Sequence, residues 1–86
     1  MYGNDIFTGG LKLELPIGHN IRRLRLERNM TQRELAWYLR VSIQAVSKWE
    51  RGCTYPDLVL LLPIARLFSV TLDELFGRED TSEKVG

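Results

Sequence analysis

The chain has 86 residues, 44% of them hydrophobic and 27% charged, with a net charge of +1. That suffices for one small domain with a core and leaves no room for a second. No run of eighteen apolar residues occurs, and no basic, apolar, small-residue leader pattern opens the chain, so a membrane span and export are both unexpected and the cytoplasm is the expected compartment.

Residues 1–16 read as an N-terminal arm. Its first ten, MYGNDIFTGG, carry turn-forming residues without a period, whereas Leu11 to Leu15, LKLEL, alternate apolar and charged as a short strand does. From Pro16 the period switches to helical, with Ile17, Ile21 and Leu24 on one face as far as about Arg28, and Asn29 suited to the left-handed conformation that ends a helix. Residues 31–52, TQRELAWYLRVSIQAVSKWERG, then read as two short helices joined by a tight turn. Thr31 and Glu34 form a capping box at the first start. Leu35, Ala36 and Leu39 share one face of that helix, where the adjacent Trp37 and Tyr38 cannot both be buried, leaving one exposed. Ser42 is an N-cap residue for the second helix. There Val46 and Trp49 point inward, while Ile43, Gln44, Ser47 and Lys48 point elsewhere and form a candidate face for a DNA major groove.

After Gly52, residues 53–57 are a loop. The apolar run LVLLLPIARLF reads as a buried helix, and because proline is tolerated only in a first turn, Pro63 predicts a turn over residues 57–60 and a regular helix from about Leu60 to Ser69. Leu67, Phe68 and Leu75 are expected in the core. Thr71 and Glu74 form a second capping box for a last short helix stopped by Gly77. Residues 78–86 are a polar tail. Five helices and at most one short N-terminal strand make the fold all-α.

Charge is strongly segregated. Residues 17–52 hold eight arginines and lysines against three glutamates, a net +5, whereas residues 53–86 hold three against six acids, a net −3. One half suits phosphate and the other is turned from it.

The residues from 17 to 77 resemble the Cro and phage-repressor type of helix-turn-helix, the xenobiotic-response-element family of transcription regulators. The resemblance is carried by IGHNIRRLR, TQRELA, the VS pair before the next helix, VSKWERG, Pro56 with Asp57, and IARLFSVTLDELFG. It implies a compact five-helix repressor-like DNA-binding domain, acting as a homodimer on a palindromic operator in double-stranded DNA. By position it assigns Gln32, Ser42, Arg51 and Thr54 to phosphates, and Gln44 and Lys48, with Ile43 and Ser47 beside them, to base edges. It also pairs Arg25 with Glu50 and gives Ala36 the close helix-to-helix approach. Two residues depart from the pattern: Arg40 stands in the turn where glycine is common, and Ile43 is apolar where a polar residue is usual, which suits a thymine methyl.

The chemistry agrees with that implication. Glutamine binds adenine at two atoms and lysine reaches the guanine acceptors, and Gln44 and Lys48 lie one helical turn apart, so they can address neighbouring base pairs. Catalysis finds no support, since there is no Ser, His and Asp set and no glycine-rich phosphate loop. Cys53 and His19 each stand alone, so neither a disulfide nor a metal site is expected, and no cofactor or small-molecule ligand is implied. The expected function is a sequence-specific DNA-binding transcriptional regulator, of repressor type. The alternative is a protein-interaction module such as an antitoxin or an anti-repressor partner. For the dimer contact two surfaces compete: the final helix with Leu72, Leu75 and Phe76, and the strand Leu11 to Leu15.

Overall fold

The computed structural model describes residues 15–77 and folds them into α1 (Ile17–Glu27), α2 (Gln32–Leu39), α3 (Ile43–Glu50), α4 (Leu58–Leu67) and α5 (Leu72–Phe76). The N-terminal strand expected at residues 11–15 and the tail at residues 78–86 lie outside this range, apart from Leu15. Helix α1 packs on α3 and α5, α2 packs on α3 and α4, and α4 packs on α5. One core results, built from Ile17, Ile21, Leu24, Leu35, Ala36, Leu39, Val46, Trp49, Ile64, Ala65, Phe68 and Leu75.

Helix starts follow local chemistry. In both capping boxes the threonine oxygen accepts from the glutamate amide while the glutamate carboxylate accepts from the threonine amide: Thr31 with Glu34, and Thr71 with Glu74. Helix ends share one device. Asn29, Arg40 and Ser69 take positive φ of 55°, 62° and 58° after α1, α2 and α4, and Gly52 and Gly77 do so after α3 and α5. In this conformation the amide of the following residue turns back to an otherwise unpaired carbonyl. Met30 donates to the Arg25 carbonyl at 3.0 Å, Val41 to Ala36 at 3.0 Å, Cys53 to Lys48 at 2.9 Å and Val70 to Ala65 at 2.9 Å. Arg40 therefore adopts the left-handed turn despite its side chain, with ψ 43°.

Three expectations are corrected. Helix α4 begins at Leu58 and ends at Leu67, so Pro63 sits inside it rather than in its first turn. Proline has no N–H to offer the Val59 carbonyl, and both residues are exposed. The apolar run is not buried as a whole. Only Ile64 and Ala65 of α4 are buried, while Leu58 and Val59 are 82% and 78% exposed. Finally, Trp37 and Tyr38 are both exposed, at 79% and 56%, because the inward side of α2 is fully occupied by Leu35, Ala36 and Leu39.

Polar ties lock the helices together. Arg25 of α1 meets Glu50 of α3 in a two-pronged pair, Nε to Oε2 at 2.7 Å and Nη2 to Oε1 at 2.9 Å, with side chains only 9% and 2% exposed. Arg25 Nη1 also donates to the Met30 carbonyl at 2.8 Å. The hydrogen bond that Arg25 donates to Glu50 raises the guanidinium pKa above its ordinary value, with burial opposing and the carboxylate charge adding. Asn20, buried in α1, donates to the Leu75 carbonyl at 2.9 Å. Arg28 donates to the last carbonyls of α4, Leu67 and Phe68, both at 2.9 Å, and lies over the Phe68 ring.

Helices α1 and α3 touch backbone to backbone at Gly18. A Cβ placed there would lie 1.6 Å from the Trp49 carbonyl oxygen, a backbone atom that cannot swing aside. Gly18→Ala should therefore destabilise by about 3 kcal/mol or prevent folding, read as a lowered thermal midpoint by circular dichroism; an unchanged midpoint would show that the helices can separate freely. Glu50→Gln should cost roughly 3 kcal/mol in urea denaturation, because Arg25 keeps a buried charge without its counter-ion. Equal stability of the two proteins would reduce the pair to a surface-like contact.

Candidate nucleic-acid interface

Helix α3 is positioned from within. Val46 and Trp49 are buried, and Glu50 is held by Arg25, so rotation about the helix axis is fixed from one side. At its start Ser42 has extended backbone, and its Oγ accepts from the Ala45 amide at 3.0 Å. The face left to solvent carries Gln44 and Lys48. Ile43 and Ser47 are half-buried at its edges, and Ile43 packs against the core. Of the four residues assigned to base edges, then, two are exposed and two half-buried beside them.

The residues assigned to phosphates are distributed around this face. Arg51 caps α3 and is exposed, its Nε donating to Ser47 Oγ at 3.2 Å and its Nη1 lying 3.7 Å from Cys53 Sγ. Thr54 is exposed in the following loop, its amide 3.4 Å from the Lys48 carbonyl. Gln32 at the start of α2 is already engaged: its Nε2 donates to Glu50 Oε1 at 3.0 Å. Its side chain thus joins α2 to the Arg25 and Glu50 pair, a connection that no spacing in the sequence signals. The contact at Gly18 carries a fainter signal, since a glycine inside a helical period marks a close backbone approach.

Unpaired positive charge dominates the surface near α2 and α3. Among the described residues the only ion pairs are the exposed Arg23 and Glu27, at 3.1 Å, and the buried Arg25 and Glu50. Arg33, Arg40, Lys48 and Arg51 are exposed without a carboxylate partner. Such a surface attracts a polyanion. Among the described residues no group of His, Cys, Asp and Glu is arranged to hold a metal ion, and no helix is long and apolar enough to cross a membrane.

Comparison with known proteins places this geometry. The chain is 42% identical over 66 residues to the HTH-type transcriptional activator BcrR of Enterococcus faecalis, a match covering 77% of this chain and 32% of that protein. It is 30% identical over 70 residues to the HTH-type transcriptional regulator ImmR of Bacillus subtilis, covering 81% of this chain and 55% of that one. The chain thus spans about a third and about half of the lengths of these relatives. Its structure is similar to that of the phage P22 c2 repressor solved with a synthetic operator, with a TM-score of 0.69 and 30% identity over 78% of this chain and 100% of the other. The helix-turn-helix family matches residues 21–75, which run from the second turn of α1 into α5, and the chain belongs to that family, of the Cro and phage-repressor type.

Proposed function

We propose that this chain is a sequence-specific double-stranded-DNA-binding transcriptional regulator that inserts α3 into the major groove. The observation that carries this is the exposure of Gln44 and Lys48 one turn apart on a helix whose other side is clamped by Trp49, Val46 and the buried Glu50. A reading helix must not roll, because a small rotation changes which base edges its side chains reach. Gln44 addresses adenine and Lys48 guanine acceptors, with the Ile43 side chain against a thymine methyl. Ser47 adjoins this face and also steadies Arg51.

Arg51, Thr54 and Gln32 at one end of α3, with Ser42 at the other, meet phosphates and set register rather than sequence. Free amides at the starts of α2 and α3 add to this, since a helix N-terminus favours an anion. The relatives described above are named for transcriptional regulation, which favours this function over an antitoxin or anti-repressor role. Their names include both an activator and a repressor.

One short helix covers only a few base pairs, so the regulator acts as a homodimer on paired half-sites of a palindromic operator, about 34 Å apart. Of the two contacts weighed from the sequence, the strand Leu11 to Leu15 lies outside the described residues apart from Leu15, and the final helix offers little free apolar surface. Leu75 is fully buried and Phe76 half-buried against the core, which leaves only Leu72 of the final helix partly free. Leu58 and Val59, the most exposed aliphatic residues described, open α4 one loop after the reading helix. A two-fold contact there would bring both copies of α3 close to the dyad.

Gln44→Ala or Lys48→Ala should weaken binding to the selected site by about 1 to 3 kcal/mol and relax preference at one or two base pairs, as measured on sites recovered from random duplexes. A uniform loss on unrelated sequences would reassign both residues to phosphate. Replacing Leu58 and Val59 by glutamate should halve the molecular mass in sedimentation equilibrium and weaken binding to a paired site more than to a half-site. A protein that remains dimeric would move the contact elsewhere.

A further inference from the structure

The DNA-binding function leaves one conspicuous surface unused. On α2, Leu35, Ala36 and Leu39 face the core, which places Trp37 and Tyr38 on the opposite side. Tyr38 is shared by three adjoining depressions. One is formed with Trp37, Arg40 and Val41, a second with Leu62, Pro63, Arg66 and Leu67 of α4, and a third with Arg28, Asn29, Met30 and Glu34. The three depressions thus meet at Tyr38 and give the surface between α2 and α4 an aromatic and aliphatic relief.

Its rim is basic. Arg40 and Arg66 are exposed at opposite sides of Tyr38, and neither has a carboxylate partner among the described residues. Arg28 is committed to the Leu67 and Phe68 carbonyls. The one carboxylate at the edge, Glu34, is engaged by the Thr31 amide. Tryptophan, tyrosine and arginine are the residues that concentrate binding energy in protein interfaces, and leaving them in water without such a role gains nothing for the fold.

We propose that this groove is a docking surface for an acidic amphipathic helix of a partner protein. Leucine-like side chains on one face of that helix would cover Trp37, Tyr38 and Leu62, and its carboxylates would pair with Arg40 and Arg66. Helix-in-groove recognition has this form, with apolar anchors at helical spacing and charges setting the orientation. The surface lies on α2 and α4, apart from Gln44 and Lys48, so a partner can be held while α3 is on DNA.

The test uses two synthetic helical peptides that share leucines at every third and fourth position, one with glutamates and the other with lysines in the remaining places. Trp37 is exposed and Trp49 buried, so tryptophan emission reports on the groove. The glutamate peptide should shift the emission to the blue, bind about tenfold or more tightly than the lysine peptide, and weaken as salt rises. Tyr38→Ala by the same emission, and Trp37→Ala by titration calorimetry because it lacks the reporter, should each lose about tenfold of that affinity while binding DNA as the parent does. Arg40→Gly should also weaken it, and because glycine suits the left-handed turn at that position the loss cannot be ascribed to unfolding. Equal affinity for the two peptides, or no emission shift with either, would overturn the proposal. So would loss of DNA affinity in Trp37→Ala, which would assign the surface to DNA, or a concentration-dependent mass abolished by Trp37→Ala, which would assign it to a second copy of this chain.

Discussion

The geometry of the domain depends on the way α1 holds α3. Arg25 grips both carboxylate oxygens of Glu50, and Gln32 brings the start of α2 to the same carboxylate. Three helices therefore converge on one buried anion. An ion pair this deep is not a source of large net stability, because removing both charges from water offsets most of their attraction. What it supplies is a defined orientation, since a forked, planar contact tolerates far less rotation than an apolar one. At Gly18 the two helix backbones come so close that no side chain fits between them. The pair and the close approach act on the same helices near opposite ends of α1, which fixes both the distance and the rotation of α3.

With α3 fixed, the small size of the domain becomes manageable. Short helices have a large share of end groups, and each end leaves amides or carbonyls without partners. Here the starts of α2, α3 and α5 are met by Thr31, Ser42 and Thr71, and the ends by left-handed residues that fold the next amide back. Arg28 performs a similar task across the chain by donating to the end of α4. Arg40 illustrates the balance between local and global terms. A left-handed non-glycine residue costs about 1 to 2 kcal/mol, and the turn is kept because it delivers Val41 to the Ala36 carbonyl and sets the angle between α2 and α3.

Much of this architecture is legible in the sequence because it is encoded locally. Threonine followed three residues later by glutamate marks two helix starts, and the spacing of Val46 and Trp49 orients α3. The start of α4 was less legible. Proline is ordinarily confined to a first turn, whereas Pro63 lies inside α4 on an exposed face. The run LVLLLPIARLF likewise looks uniformly buried, since hydropathy does not say how much neighbouring surface exists to cover it. Among the described residues helix α4 packs chiefly on α2 and α5, and Leu58 and Val59 stay exposed. At the site, Gln44 and Lys48 follow from helical phase. The link from Gln32 to Glu50 depends on how α2 and α3 cross, which no one-dimensional pattern contains.

That mismatch between hydrophobic residues and available core has a consequence for assembly. In a domain this small, burial of every large apolar side chain would require a further helix or a longer α5. Among the described residues twelve apolar side chains form the core, while Trp37, Tyr38, Leu58 and Val59 are exposed. Their positions are not scattered: the aromatic pair lies on the outer side of α2 and the aliphatic pair at the beginning of α4. A protein whose stability is marginal gains more from assembly than a large one does, because each partner that binds only the folded state shifts the folding equilibrium as well as its own. The surplus apolar surface, basic-rimmed at Tyr38 and aliphatic at Leu58 and Val59, is therefore where a partner that binds only the folded state would also stabilise the fold.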